Sequence, residues 1–530
     1  MSADWYRKRT LGAILDDAAR RWGGREALVF DDRRWTYAGF NAEVNRVAKG
    51  LIALGVAPGE RVALWMTNRP EWLFLMFAIA RAGACIVPLN TRYRTDDVAY
   101  AVTQSRSGTL VTIDRSGPVD YQGMLMQSIG SCPDLRRVVV LGEARIAHAT
   151  RWEELVAGGA AVTDADLAAR AKAADPDGLM MILYTSGTTS HPKGVMHSHR
   201  PIRNTAERAQ IFGYTADDVH MSYLPLFHIY GFSEIAMTCV LTGGRQVLMD
   251  AFDADRVLDL AERERATVLH GFEAHWLDLL NAHARKPRAL SVRLGTLPSG
   301  VESTIPIAER VQDVFCPTVS GFGMSEAWAF VTCSHPSHTR EQRTHTSGYP
   351  MHDYEFRVVD PDTGREQPVN VPGELLLRGY AVMDGYWDKP EATREALDAD
   401  GWLHTGDMAR IRDDGHVVFM GRYKDMLKVG GENVSPAEVE AYLRGMPEVL
   451  DAAVVACPDP RLVEVPAAFV ILEPGVQADG DALVARMKGK VASYKIPRHV
   501  IFVDAFPMTS SGKIRKVELR AILAARRTSC

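Results

Sequence analysis

Short apolar runs alternate with helical stretches along much of this chain, and that rhythm constrains the fold more than any other feature. Arg61–Met66 reads as a strand, Pro70–Ala82 as a helix and Cys85–Leu89 as a strand again. Leu110–Ile113 and Val138–Leu141 read as further short strands. Such a strand–helix–strand succession predicts α/β layers on largely parallel sheets. At 530 residues the chain exceeds one ordinary domain. Its charges nearly balance, with 61 Lys and Arg against 66 Asp and Glu. That argues against non-specific nucleic-acid binding, which rests on a basic excess. A local basic tail (Arg520, Arg526, Arg527) is explained equally well by a solvated last helix.

The character changes from Tyr349 to Met420. Runs such as Glu355–Asp360 and Gly373–Arg378 are separated by turn sequences, which predicts an antiparallel β unit. A new helix is expected at Ser435-Pro436, with Ser435 as cap, proline at the first helical position and Glu438 completing a capping box. A domain boundary is placed at 422–425, with 1–421 before it and 426–530 after it.

The seven cysteines are an odd number with no CxxC pair. This is not a disulfide framework, and a reducing, cytoplasmic setting is expected. The start shows no apolar segment of the signal-peptide kind. The run Trp72–Ala80 is too short to span a bilayer and is expected to be a core helix. His197-x-His199 and His335-x-x-His338 show no third ligand by spacing, so both pairs are read as structural or solvent-facing.

The apolar run Leu179–Tyr184 reads as a buried strand, and it opens into Thr185-Ser-Gly-Thr-Thr-Ser-His-Pro-Lys-Gly194. Backbone amides, hydroxyls and a lysine after a strand end can wrap phosphate oxygens. The spacing is not that of a Walker A loop, because Lys193 is followed by glycine. Composition alone leaves a plain polar surface loop equally open.

The string Tyr-Thr-Ser-Gly-Thr-Thr-x-x-Pro-Lys-Gly-Val resembles the signature of the adenylate-forming superfamily, which includes acyl-CoA synthetases, carrier-protein adenylation domains and luciferases. The resemblance continues in order. It runs through Leu224–Gly231, Gly321–Glu326, Gly373-Glu-Leu with Gly385-Tyr386, and Gly401–Asp407. It ends with Gly421–Lys428, Gly430–Asn433 and Ser511-Gly-Lys513. Residues 1–180 match the family's amino-terminal lobe only loosely.

The fold this implies is α/β. A large amino-terminal domain holds two α/β-layered subdomains and a β-rich subdomain, and a small mobile α+β domain follows. The implied reaction has two steps. A carboxylate attacks the α-phosphorus of ATP to give acyl-AMP and pyrophosphate, and the thiol of CoA then takes the acyl group and releases AMP. Lys513 would bridge carboxylate and α-phosphate, where negative charge accumulates. His228 would gate the acyl and thiol tunnels. Glu326 would hold Mg2+.

Thr185, Ser186, Gly187, Thr188, Thr189 and Lys193 would cradle phosphates, and Ser325 would reach the α-phosphate. Gly321 and Phe322 would frame the adenine, with Phe322 stacked on it. Asp407 would accept the ribose hydroxyls, and Arg422 would contact ribose or phosphate from the linker. Lys424 matches the hinge, while Lys428, Gly430 and Gly431 belong to the face that admits the pantetheine arm. Phe232, Gly300, Gly323 and Trp328 would line the acid pocket. Gly271 and Gly300 suggest space there, which Trp276 and Trp328 could close.

Several positions depart from the family pattern. Ser190 stands where glycine is usual, Ser320 for Gln, Phe322 for Tyr and Ser325 for Thr, and Ser299–Ser303 lacks a proline. Slow adenylation is one expectation, making a thioesterification-only ligase an alternative. A carrier-protein loader, a luciferase-like oxidoreductase and a non-catalytic nucleotide binder are further alternatives. The identity of the acid is not legible, nor is the choice between a lone chain and a homodimer.

Overall fold

The computed structural model describes residues 7–185, 192–429, 432–488, 491, 493–509 and 513–528. The expected strands and helices form. Strand Arg61–Trp65 pairs in parallel with Cys85–Pro88 and Thr109–Ile113 within an eight-stranded sheet that also holds Leu179–Thr185. Helix Pro70–Arg81 connects the first two, and every residue in it except Glu71 is buried. An apolar surface all round places a helix inside a core. Its terminal Arg81 is buried too, held by Asn41 and the carbonyl of Gly12 at 2.9 and 3.0 Å.

A second, seven-stranded sheet joins Thr318–Val319, Leu294–Thr296, Val268–His270, Val219–Ser222 and Arg245–Leu248 in parallel, then Glu26–Phe30 and Arg33–Thr36. The β-rich unit is a four-stranded antiparallel sheet ordered Tyr354–Val359, Gly373–Gly379, Leu403–Ile411, Val417–Arg422. A short 3-10 turn, Tyr423–Asp425, leads from it to strand Leu427–Val429 of the last sheet. There the long strands Val449–Asp459 and Val463–Leu472 pair antiparallel, with His499–Phe502 added in parallel. This is the α/β architecture expected, with a small α+β domain at the end.

One local expectation fails. Helix Pro436–Arg444 begins after Ser435 with proline at its start, but the Ser435 side chain makes no capping bond. Glu438 is taken by Lys495 instead. A cation brought close by the tertiary fold outcompetes a local cap, which spacing cannot reveal.

Candidate active site

The segment expected to bind phosphate lies between the two arms of a hairpin. Strand Leu179–Thr185 pairs antiparallel with Lys193–Ser198, and Thr185 lies opposite Lys193. The Thr185 hydroxyl donates to the Lys193 carbonyl at 3.5 Å. Ser186, Gly187, Thr188, Thr189, Ser190 and His191 lie outside the described residues. The two-residue strand Gly385–Tyr386 adds to the hairpin's outer edge, with Val195 opposite Tyr386. That pairing brings the Tyr386 ring under Lys193, whose Nζ lies 4.7 Å from the ring centroid.

Glu326 is presented by a tight turn. Val331 N donates to Phe322 O at 2.8 Å and Met324 N to Trp328 O at 3.1 Å, closing a narrow loop around residues 324–328. Glycine is required at 323, because a Cβ there would lie 1.5 Å from the Ala329 carbonyl oxygen. At Gly321 a Cβ would meet the Thr332 carbonyl oxygen at 2.4 Å. The turn is anchored from two sides. His197 Nε2 donates to the Ser325 carbonyl at 2.6 Å, and Met383 N donates to the Glu326 carbonyl at 2.8 Å. The Tyr386 hydroxyl donates to Glu326 Oε1 at 3.0 Å. Phosphate-loop lysine, Tyr386 and Glu326 thus form one cluster. Sequence reading named Tyr386 within a motif but gave it no role, since only the edge-strand pairing places it between the other two.

Burial lowers His197 to about 4, so it is neutral at neutral pH. His199 is held at about 4 by burial as well, and its Nδ1 accepts from Leu11 N at 3.0 Å. Both are structural, as expected. His338 meets a partner that spacing did not show, since its ring lies 5.0 Å from that of His416. Among the described residues no cluster of three or more His, Cys, Asp or Glu could hold a metal ion.

Asp407 is buried on strand Leu403–Ile411 and stands opposite Arg422. Its Oδ1 lies 3.5 Å from Arg422 Nε. Phe322 is buried against Phe419, with ring centroids 5.7 Å apart. Of the departures from the family pattern, Ser320 and the loop at Ser299 are knitted together with Ser334 and Ser347, while Ser190 lies outside the described residues. Ser299 N donates to Ser320 Oγ at 2.8 Å, Ser320 N to Ser334 Oγ at 2.7 Å, and Ser347 Oγ to Ser299 O at 2.8 Å. Their hydroxyls satisfy buried backbone groups, so these substitutions serve the architecture of the loop.

Lys513 reaches this region from the far end of the chain. Its Nζ lies 5.1 Å from the centroid of Phe272. The residue as a whole is exposed, while its ammonium stacks on the Phe272 ring. Desolvation lowers its pKa, Arg422 lowers it further, and Asp407 opposes both. Burial and the Lys513 charge push His228 down to about 3, so its imidazole is neutral. The His228 and Phe272 rings meet edge to face at 6.3 Å. The side chain of Lys428, and all of Gly430 and Gly431, lie outside the described residues.

The residues expected to line an acid pocket form an aromatic, filled cluster. Phe232 and Trp328 are fully buried, with centroids 6.2 Å apart at 89°. Trp328 Nε1 donates to Thr205 Oγ1 at 3.2 Å. The expected room at two glycines is absent. A Cβ at Gly300 would sit 2.6 Å from Ser347 Oγ, and one at Gly271 would sit 3.0 Å from His275 Cβ. Trp276 is a core residue with its Nε1 on the Thr296 carbonyl at 3.1 Å. Close packing consumes the volume that composition appeared to leave open.

Comparison with known proteins agrees with this geometry. Residues 15–387 match the AMP-binding enzyme family and 438–513 match the AMP-binding enzyme C-terminal domain. The chain is 38% identical to the 3-[(3aS,4S,7aS)-7a-methyl-1,5-dioxo-octahydro-1H-inden-4-yl]propanoyl:CoA ligase of Mycobacterium tuberculosis, over 97% of this chain and 99% of that protein. It is 31% identical to the medium-chain acyl-CoA ligase ACSF2 of Homo sapiens, over 97% and 87%. The crystal structure of the anthranilate CoA ligase AuaEII with anthranoyl-AMP superposes with a TM-score of 0.87 at 27% identity, covering 99% of this chain and all of that one. The chain belongs to the AMP-binding enzyme family as an AMP-forming acid–CoA ligase, which adenylates a carboxylic acid and passes the acyl group to CoA.

Proposed function

We propose that the described arrangement is the pose for the first half-reaction, with Lys513 as the catalytic cation. The position of Lys513 carries this reading. A lysine from the last described segment stands beside His228 and Phe272, within electrostatic reach of Asp407 and Arg422. Two anions, a carboxylate and the α-phosphate, must approach each other in adenylation. A fixed cation between them lowers the barrier by stabilising charge as it builds. Lys193 and the loop from Thr185 would hold the phosphates, and Asp407 the ribose hydroxyls.

Glu326 would hold Mg2+. A carboxylate on a turn, beside a phosphate-binding lysine, suits a hard cation that keeps most of its waters. Bound there, the ion would neutralise phosphate charge. Its site consists of this chain's own Glu326, oriented by Tyr386. His228, neutral through burial, would neither repel Lys513 nor compete for the carboxylate. It would be free to act as the gate between acyl and thiol paths.

The second half-reaction needs a thiol where Lys513 now stands, so the small domain would turn about residues 422–425. The acid would meet a wall of aromatic carbon at Phe232 and Trp328. That favours an apolar chain or ring behind the carboxylate over a charged one.

A panel of aliphatic and aromatic carboxylic acids with ATP and CoA, scoring pyrophosphate and AMP separately, tests this. Lys513→Met should lower pyrophosphate release roughly 10²–10³-fold. It should still form thioester from a synthetic acyl-AMP. Equal loss of both half-reactions would refute the assignment of Lys513.

A further inference from the structure

Two cations from the small domain land on consecutive residues of the large one. Phe272 is the residue before helix Glu273–Arg285, with extended backbone at φ −87° and ψ 173°. Its backbone N–H donates to His275 Nδ1 at 3.3 Å, which fixes the helix entry. Its ring is clamped edge to face by Tyr230 at 5.0 Å, and Tyr230 is itself anchored through its hydroxyl on Thr296 Oγ1 at 2.5 Å. The ring so held meets the Lys513 ammonium, 5.1 Å from its centroid.

The next side chain, Glu273, receives the second cation. Its Oε1 lies 2.9 Å from Arg444 Nη1. Arg444 is secured on its own domain by Asp451, at 2.6 Å from Nε, and by the Ala452 carbonyl, at 3.0 Å from Nη2. The remaining Nη1 edge serves the large domain, where it also donates to the Ser303 carbonyl at 3.3 Å. Arg92 adds a bond from the large domain to the Met508 carbonyl.

We propose that Phe272 and Glu273 form a two-point dock that positions Lys513 for adenylation and is vacated for acyl transfer. The physical logic is complementary. The Phe272 face attracts the ammonium through its quadrupole without neutralising it, so the charge stays available to substrate. A carboxylate in that place would bind Lys513 and quench it. Glu273 opens its helix, and its side chain meets, at 2.9 Å, a guanidinium that its own domain has already oriented. Both act through the placement of Lys513 and of the small domain, so both are positioning residues. Adjacent in sequence, they tie the angle of the small domain to the place of its lysine.

This inference rests on the reading of Lys513 as the adenylation cation, and the test separates the two. With the acid that the wild-type enzyme activates fastest, pyrophosphate release and thioester formation from synthetic acyl-AMP plus CoA are measured for each variant. Glu273→Lys sets like charges against each other across the seam. It should lower the ratio of adenylation to acyl transfer at least tenfold. Phe272→Leu should lower the same ratio several-fold, and Phe272→Trp should restore it, because the indole face also binds cations. Hydrogen exchange of residues 440–446 should rise in Glu273→Lys, reporting loss of the dock without any turnover. An unchanged ratio in Glu273→Lys, or equal loss of both half-reactions, would overturn the dock. Wild-type enzyme that released no pyrophosphate with any acid would instead refute the reading beneath it.

Discussion

The hydroxyl of Tyr386 donates to Glu326 Oε1 across 3.0 Å. The same ring carries Lys193 on its face, 4.7 Å from centroid to Nζ. One aromatic side chain therefore sets the distance between the Lys193 ammonium and the Glu326 carboxylate. Burial and Glu326 both push the Tyr386 hydroxyl far above its ordinary range, so it stays protonated and remains a donor.

Tyr386→Phe removes that one bond and keeps the ring. A hydrogen bond to a charged group contributes roughly 1.5–3 kcal/mol. Pyrophosphate release should fall about tenfold or more, since about 1.4 kcal/mol is a factor of ten. The unfolding free energy should fall by the same order, about 1.5–3 kcal/mol, because only this bond is lost while the packing is unchanged. Steady-state kinetics and a melting curve on the same variant check both halves of the statement.

Docking of the small domain should depend on pH through Glu273. Burial in the seam holds its carboxyl up to about 7 against the pull of Arg444, with Asp451 and Glu440 adding to the rise and Lys516 opposing it. A group whose pKa is raised in the docked pose binds a proton there that it releases on opening. Its contribution to docking is present at low pH and lost as pH rises through about 7. With an open-pose value near the ordinary ~4.3, the docking constant should fall roughly tenfold between pH 6 and pH 8. Fluorescence transfer between dyes on the two domains reads this, and Glu273→Gln should flatten the profile.

Trp328 is fully buried and holds a positive φ of 81°, a conformation that a bulky residue adopts only under constraint. Replacing it with glycine relieves strain of roughly 1–3 kcal/mol. It also removes packing worth roughly 3–5 kcal/mol. Packing loss exceeds or matches the relief, so Trp328→Gly should be destabilised by about 0–4 kcal/mol, centred on ~2 kcal/mol, measured by denaturant unfolding. The same variant should accept bulkier acids in the carboxylate panel.

Arg208 and Glu234 form an ion pair behind the aromatic wall, both nearly inaccessible to solvent, with Nε 2.5 Å from Oε2. Desolvation raises the Glu234 pKa while Arg208 and Ser233 hold it down. Breaking such a pair strands a buried charge and costs roughly 3–5 kcal/mol. Glu234→Gln should lose that much stability in urea unfolding. Arg208→Met combined with Glu234→Met should lose less than either single change.

Much of the fold was legible in advance. The strand at Arg61, the helix at Pro70 and the strand at Cys85 lie within about a residue of their expected ends, because period and apolar content are local properties. The β-rich unit after Tyr349 was legible for the same reason. The capping box at Ser435 was a local inference that failed, because Lys495 arrives from a distant segment and claims Glu438. The glycines at 271 and 300 misled as signs of space, since emptiness depends on what packs alongside.

By itself the sequence determined the parallel α/β layers, the family and the ordered motifs that carry ATP chemistry. Those properties depend on residue type and spacing, which chain order preserves. Only the tertiary structure decided that Tyr386 joins Lys193 to Glu326, that His338 meets His416, and that Phe272 and Glu273 receive Lys513 and Arg444. These contacts span long stretches of chain. They depend on edge-strand pairing and on the docking of one domain against another, and no spacing rule along a single chain encodes either.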